Sequence, residues 1–359
     1  MKNKLSSVFS IALLYTLSVI MGGNLFAQAE QDTQYIYVCN QGSASVTVID
    51  VSTNEISATV DLQELGFSAN AKPHHTVAEK DGSFWYLTLI GENRVLKFNR
   101  SNELVGEASL EVPGLLAMHP TQDLLYVGRS MSAVNPPQSF GIINREDMSV
   151  VDEVDLFFTR PHALTTTIDG TWTFVGSLSD NQILSMNTES EESNLTNISG
   201  TIHTFVNFAV SPFGNTMVAT GQVSGQLLFF DISNPDSPQM TGSVEVGAQP
   251  WHPVFSPDGQ YVYFGNKQDH SVSVINMETR AVDAVIEGDG LAQPHGSALS
   301  ADGKYLYISN NNLDGTYNPD ENEADYITGT LTIINTETRT IEKVIEVGKN
   351  ATGVGTNAW

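Results

Sequence analysis

The sequence predicts an all-β fold, a seven-bladed β-propeller of four-stranded antiparallel blades, with the ring closed by the C-terminal strand joining the N-terminal blade. Three observations predict it. One phrase recurs every 40 to 50 residues or so, the length of a four-stranded blade. Within it, short runs rich in Val, Ile, Tyr and Phe alternate with turn clusters such as D-G and N-x-E-T, and no stretch after the N-terminal segment keeps a helical period. The two ends of the chain each carry part of one further blade.

The recurring phrase runs Pro, a few apolar residues, a turn like S-P-D-G, an aromatic-rich strand and then V-x-V-I-[ND]. Its clearest copies are QPWHPVFSPDGQYVYFGNKQDHSVSVIN (249–276) and QPHGSALSADGKYLYISN (293–310), the latter resuming as TLTIIN (330–335). Earlier copies start at Lys72, Val112 and Arg160, and a degenerate one spans 203–220. The tight turns come from Asp-Gly pairs, whose side chains and free φ suit that geometry.

Residues 35–61 supply strands two to four of a blade but lack its first strand, and residues 351–359, ATGVGTNAW, match the missing one. Six complete blades and one assembled from both ends make seven. Such closure removes the open sheet edges that invite aggregation.

At the N-terminus, Lys2 and Lys4 precede an apolar run from Val8 to Met21, followed by Ala27-Gln28-Ala29 as a small-x-small cleavage site. Residues 1–29 therefore read as a signal peptide and 30–359 as a single propeller domain, exported to the periplasm or the extracellular space. No second such run follows, so no membrane span is expected in the mature chain. Against 16 Lys and Arg stand 41 Asp and Glu, a net charge of -25. Such a surface repels phosphate backbones, which excludes nucleic acid as a partner, and it draws cations. Cys39 is the single cysteine, so no internal disulfide can form, and its place in YIYVCN makes it a small buried apolar residue.

The runs YIYVCN, LLYVGR, YVYFGN and YLYISN resemble the YVTN signature, and SVTVID, SVSVIN and TLTIIN resemble the strand that follows it. The chain is thereby similar to the YVTN-repeat propellers over essentially its whole mature length. That resemblance implies the fold and leaves the activity open, because propellers of this kind serve as enzymes, scaffolds and metal proteins.

The register of histidine carries the functional signal. Counted back from the turn residues Asp81, Asp169, Asp258 and Asp302, seven positions earlier stand His74, His162, Trp251 and His295, and six positions earlier His75, Ala163, His252 and Gly296. The weaker blades give Gly114-Leu115, Val206-Asn207 and Thr352-Gly353 at the same two positions. Five of the eight histidines thus open the innermost strand of a blade, where side chains from different blades face the central channel. The expected site is a transition-metal centre, with copper first, at the channel mouth: His74, His75, His162, His252 and His295, with His203 in support from a connecting loop. Imidazole suits copper, zinc, iron and nickel. Arg160 and Trp251 flank these positions as expected ligand contacts. His119 and His270 fall outside the register and are expected at the surface.

The constellation resembles the copper–sulfide site of nitrous oxide reductase, in which an adjacent histidine pair and single histidines from other blades ring the channel. His74-His75, His162, His203, His252 and His295 would be the matching positions. The cupredoxin domain of that enzyme has no counterpart in this sequence, so the resemblance implies a metal site and not that reaction. Two other classes fit the same residues: a non-enzymatic scaffold presenting its top-face loops to a small-molecule or protein ligand, and a metal-free lyase or lactone hydrolase. Two long loops, 129–139 and 311–329, are expected on the histidine face, the second carrying Asp314, Asp320, Glu321, Glu323 and Asp325.

Overall fold

The computed structural model describes residues 33–129, 135–319 and 327–357. The expected signal peptide, part of the 129–139 loop and the acidic residues Asp320, Glu321, Glu323 and Asp325 lie outside the described residues. Seven four-stranded antiparallel sheets form a ring. Blade 1 places Ala351–Thr356 beside Tyr35–Asn40, Ser45–Asp50 and Glu55–Asp61, so the two ends of the chain share one sheet, as expected. The inner strands of blades 2, 3, 4, 5 and 7 are Pro73–Ala78, Pro113–Met118, Pro161–Thr166, Phe205–Val210 and Pro294–Leu299; that of blade 6 is the short Val254–Phe255. Among the described residues no helix is long and apolar enough to cross a membrane.

The repeated residues build each blade in the same way. In the turn after the inner strand, Ser256 Oγ donates to Asp258 Oδ1 at 2.6 Å, and the same carboxyl accepts the Gln260 N–H at 3.0 Å. Ser300 with Asp302 and Thr167 with Asp169 repeat this contact. The following Gly259, Gly303 and Gly170 adopt φ of 66°, 69° and 75°, which glycine reaches without a Cβ clash. At the end of the second strand the Asn of the signature is buried and donates to third-strand hydroxyls. Asn40 reaches Ser45 and Thr47 at 3.1 and 2.9 Å, and Asn266 reaches Ser271 and Ser273 at 3.0 and 2.9 Å. Those bonds explain why Asn is followed by S-V-T or S-V-S.

The core lies between neighbouring blades, since each second and third strand is buried on both faces while the fourth is largely exposed. Between blades 1 and 2, Trp85 stacks on Phe98 at 4.1 Å and on Tyr37 at 4.9 Å. Cys39 is fully buried in this cluster, and burial pushes its thiol pKa up.

Candidate metal centre at the channel mouth

Two backbone devices, repeated around the ring, aim the residues that open each inner strand. The residue just before the inner strand, or in blade 6 before the bridge residue Pro250, is left-handed in all seven blades: Lys72 (φ 55°), Val112 (45°), Arg160 (56°), Thr204 (60°), Gln249 (57°), Gln293 (58°) and Asn350 (53°). Such a conformation costs an L-residue about 1–2 kcal/mol, most where the side chain is β-branched as in Val112 and Thr204. A hydrogen bond from the end of the second strand of the same blade holds it. The Lys72 carbonyl accepts the Ile90 N–H at 3.1 Å, and those of Arg160, Gln249 and Gln293 accept from Leu178, Lys267 and Asn311 at 3.0, 2.8 and 3.0 Å.

The ladder then slips. Pro73 pairs with Leu89 and Thr76 with Leu87, so His74 and His75 together face Thr88 alone. The same slip brackets Gly114-Leu115, Val206-Asn207, His295-Gly296 and Thr352-Gly353. In blade 4 it falls at His162, and in blade 6 Trp251 and His252 lie between the isolated Pro250–Asn266 bridge and the ladder at Val254. A bulge of this kind re-aims a side chain. Its freed donors are met by second-strand hydroxyls: His75 N–H by Thr88 Oγ1 at 3.1 Å, Gly296 N–H by Ser309 Oγ at 2.9 Å. Gly353 completes the packing, because a Cβ there would lie 2.4 Å from the His74 carbonyl oxygen.

The five imidazoles meet at the axis. His74 of blade 2 lies 5.9 Å, ring to ring, from His162 of blade 4 and 6.1 Å from His295 of blade 7. His75 reaches across to His252 of blade 6 at 5.7 Å, and His252 is 5.2 Å from His295. The first three contacts skip at least one blade, which is possible only where the inner strands converge. All five residues are buried.

Their nitrogens are not equivalent. Both ring nitrogens of His74, Nε2 of His252 and Nδ1 of His295 are enclosed and have no hydrogen-bond partner within the protein. His162 Nδ1 lies 2.7 Å from the Val206 carbonyl oxygen; a carbonyl only accepts, so this nitrogen carries the proton and Nε2 keeps its lone pair. His75 is the reverse, with Nδ1 accepting the Leu116 N–H at 3.2 Å.

Burial holds all five rings neutral. Desolvation pushes the His75 pKa down to about 3 and that of His162 to about 4, and drives those of His74, His252 and His295 well below the usual histidine value; neighbouring rings add to the effect except at His162, where the bond to the Val206 carbonyl opposes it. The folded state therefore binds fewer protons than the unfolded chain between about pH 6.5 and 4, so stability is present above that window and lost as pH falls through it. His162 alone accounts for about 3 kcal/mol across it. Urea unfolding of chelator-treated protein at pH 7 and at about pH 4.5 is expected to show a steep loss at the lower value; equal midpoints would contradict neutral buried rings.

Trp251 stacks on His295 at 4.2 Å, its Nε1 enclosed without a partner, so it joins the cluster. Arg160 stands at the left-handed position before His162, with Nε enclosed and likewise unpartnered. His203 is buried but turned aside: it stacks on Phe205 at 6.0 Å, sets Nδ1 2.9 Å from Ser224 Oγ, and makes no ring contact with the other five. Lys267 is a residue that sequence reasoning missed. Its ammonium sits 5.0 Å from the Trp251 ring, its pKa pushed down to about 8 by burial. Its position directly after YVYFGN, on the face where the inner strands begin, was the available signal. Among the described residues no three His, Cys, Asp or Glu side chains surround one common metal point; ring rotation would have to bring them together.

His119 corrects the surface expectation. It is buried, and Nδ1 accepts the Thr121 and Gln122 N–H groups at 3.2 and 2.9 Å, doing what Asp does in the other turns. His270 is partly exposed, 3.5 Å from Asp314 of the long loop.

The family description "lactonase, 7-bladed beta-propeller" matches residues 103–342, two thirds of the chain. The chain belongs to this lactonase propeller family. No curated protein matches it. As a lactonase-family propeller it is similar to a solved chain of Kuenenia stuttgartiensis hydrazine synthase, at 19% identity and TM-score 0.66, covering 79% of this chain and 89% of that one. A functionally unknown protein from Desulfotomaculum acetoxidans gives 14% identity and TM-score 0.70, covering 89% and 98%. A Bacteroides fragilis protein proposed as a 6-phosphogluconolactonase gives 14% and 0.66, covering 91% and 98%. At these identities the likeness concerns the fold.

Proposed function

We propose that this lactonase-family propeller works outside the cytoplasm and binds a transition-metal ion, copper first, through the imidazoles at its channel mouth. Within the family we place it among the YVTN-repeat propellers. One observation carries the metal reading: rings from four blades come together at the axis, and those of three of them carry enclosed nitrogens that nothing in the protein satisfies. Buried polar atoms are almost always paired, so enclosed ring nitrogens left unpaired in neighbouring imidazoles point to a ligand. Neutral imidazole is the form that binds metal. Two imidazoles flanking one ion with bonds near 2.0–2.1 Å hold their centroids about 5 to 6 Å apart, and the spacings of 5.2–6.1 Å match that. His74, His162, His252 and His295 are the proposed ligands. His203, turned to Ser224, is left as a supporting residue, and Arg160 and Trp251 line the approach.

Family membership favours a second reading, lactone hydrolysis. The site argues against a metal-free version. Histidines with pKa near 3 to 4 are weak general bases at neutral pH, and a net charge of -25 repels phosphorylated substrates. Elemental analysis of protein purified from the exported fraction, with copper and zinc titrations, tests the proposal. About one ion per chain is expected at micromolar affinity. Metal-free protein that takes up neither ion and opens lactones refutes it in favour of the second reading.

A further inference from the structure

Within the histidine cluster two rings are fixed by backbone groups in opposite tautomers, and neither group can change sides. The Leu116 N–H can only donate, so His75 Nδ1 must offer its lone pair and the neutral ring carries its proton on Nε2. The Val206 carbonyl can only accept, so His162 carries its proton on Nδ1 and leaves the Nε2 lone pair free. Both anchors belong to the next blade along the ring. Leu116 is where the blade 3 ladder resumes after its slip, and Val206 stands inside the slip of blade 5. The bulges therefore set the tautomers as well as the direction of the rings.

We propose that the mouth divides its work between these two residues: His162 presents a lone pair to a cation, and His75 presents an N–H to a ligand that offers an oxygen lone pair, such as a carboxylate or a carbonyl. His75 is then a specificity-determining donor and not a metal ligand. For its Nε2 to coordinate, the proton would have to move to Nδ1 and point at the Leu116 N–H, losing that buried bond and opposing two donors. Its ring stands 5.7 Å from that of His252, a proposed ligand, so the donor belongs to the same cluster. The assignment rests on the channel mouth being the functional site. It also fits a substrate that supplies a carbonyl oxygen.

The test uses the whole chain labelled with ¹⁵N-histidine. Two-bond ¹H–¹⁵N correlations are expected to show the Nε2–H tautomer for His75 and the Nδ1–H tautomer for His162, the signals being assigned from His75→Phe and His162→Phe. Zinc, a diamagnetic probe, is expected to shift His162 Nε2 as a ligand and to leave the His75 Nε2–H in place. Formate added to the zinc-loaded protein is expected to move the His75 Nε2 proton downfield. His75→Phe should keep zinc affinity within about threefold and weaken formate about tenfold, whereas His162→Phe should weaken zinc about tenfold or more. An Nδ1–H tautomer at His75, or zinc coordination by its Nε2, overturns the assignment. Should the unaltered protein bind no zinc, the metal reading fails, while the His75 tautomer and its response to formate still decide the donor assignment. Because the spectra are taken on unaltered protein, a variant that misfolds does not remove the test.

Discussion

Removing residues 350–359 is expected to prevent the ring from forming, not merely to trim its end. Those residues include Ala351–Thr356, the inner strand of blade 1, and without it Tyr35–Asn40 has no partner on its axial side. The strand is fastened well beyond its own ladder. Asn357 Oδ1 accepts the Tyr35 N–H at 2.9 Å, Asn311 Nδ2 donates to the Ala351 carbonyl at 2.6 Å, and Thr352 Oγ1 lies 3.3 Å from the carbonyls of Cys39, Pro73 and His74. Blades 7, 1 and 2 all lose contacts together. Each buried hydrogen bond contributes about 1 kcal/mol net, and a domain has only about 5–15 kcal/mol in total, so the deletion removes most of it. Circular dichroism and limited proteolysis of the truncated chain should show loss of the cooperative transition. A truncated protein that melts within about 5 °C of the full chain would disprove ring closure by this strand.

The second large effect concerns the metal. Replacing both His74 and His295 by Ala removes the residue that touches two other rings and the one that links it to His252. Copper or zinc occupancy is expected to fall from about one per chain to below a tenth, since each lost imidazole weakens such a site by at least tenfold. The fold should survive, because both positions lie inside ladder slips and donate no side-chain hydrogen bond to the sheet. Full metal occupancy in a correctly folded double variant would sink the proposed ligand set. His119→Ala is the useful contrast: it leaves two turn N–H groups unpaired, so it should lower stability without touching metal content.

The sequence made the propeller legible because its local rules agree at every level. Asp-Gly turns, Asn followed by hydroxyl-bearing strands, and apolar runs all repeat in phase. The convergence of His74, His75, His162, His252 and His295 was equally readable, since counting back from each turn Asp aligns residues that the ring then superposes. What could not be read was the conformation that aims them. Lys72, Val112, Arg160, Thr204, Gln249, Gln293 and Asn350 share a left-handed backbone but no side-chain type, so tertiary packing imposes it. His203 was grouped with the cluster because it precedes its blade's strand by only a few residues; Phe205 and Ser224 turn it aside. The position of Lys267 is set by the repeat, but other blades hold Gln41, Ile90, Leu178, Gln222 or Asn311 there, so the residue type does not stand out. The tautomers of His75 and His162 depend on backbone groups of the neighbouring blade, which no side-chain pattern reveals.

The slip at the head of every inner strand separates building the ring from equipping it. Turns, cross-blade stacks and buried asparagines assemble most of the scaffold, so an axial side chain that makes no bond to the backbone, such as that of His74 or His295, can be exchanged at little structural expense. Gly114, Val206 and Thr352 already occupy, with unrelated side chains, the places that hold histidine or tryptophan in the other blades. A lineage using this frame could therefore acquire, relocate or lose a reactive centre by a few substitutions, leaving the surrounding architecture unaltered.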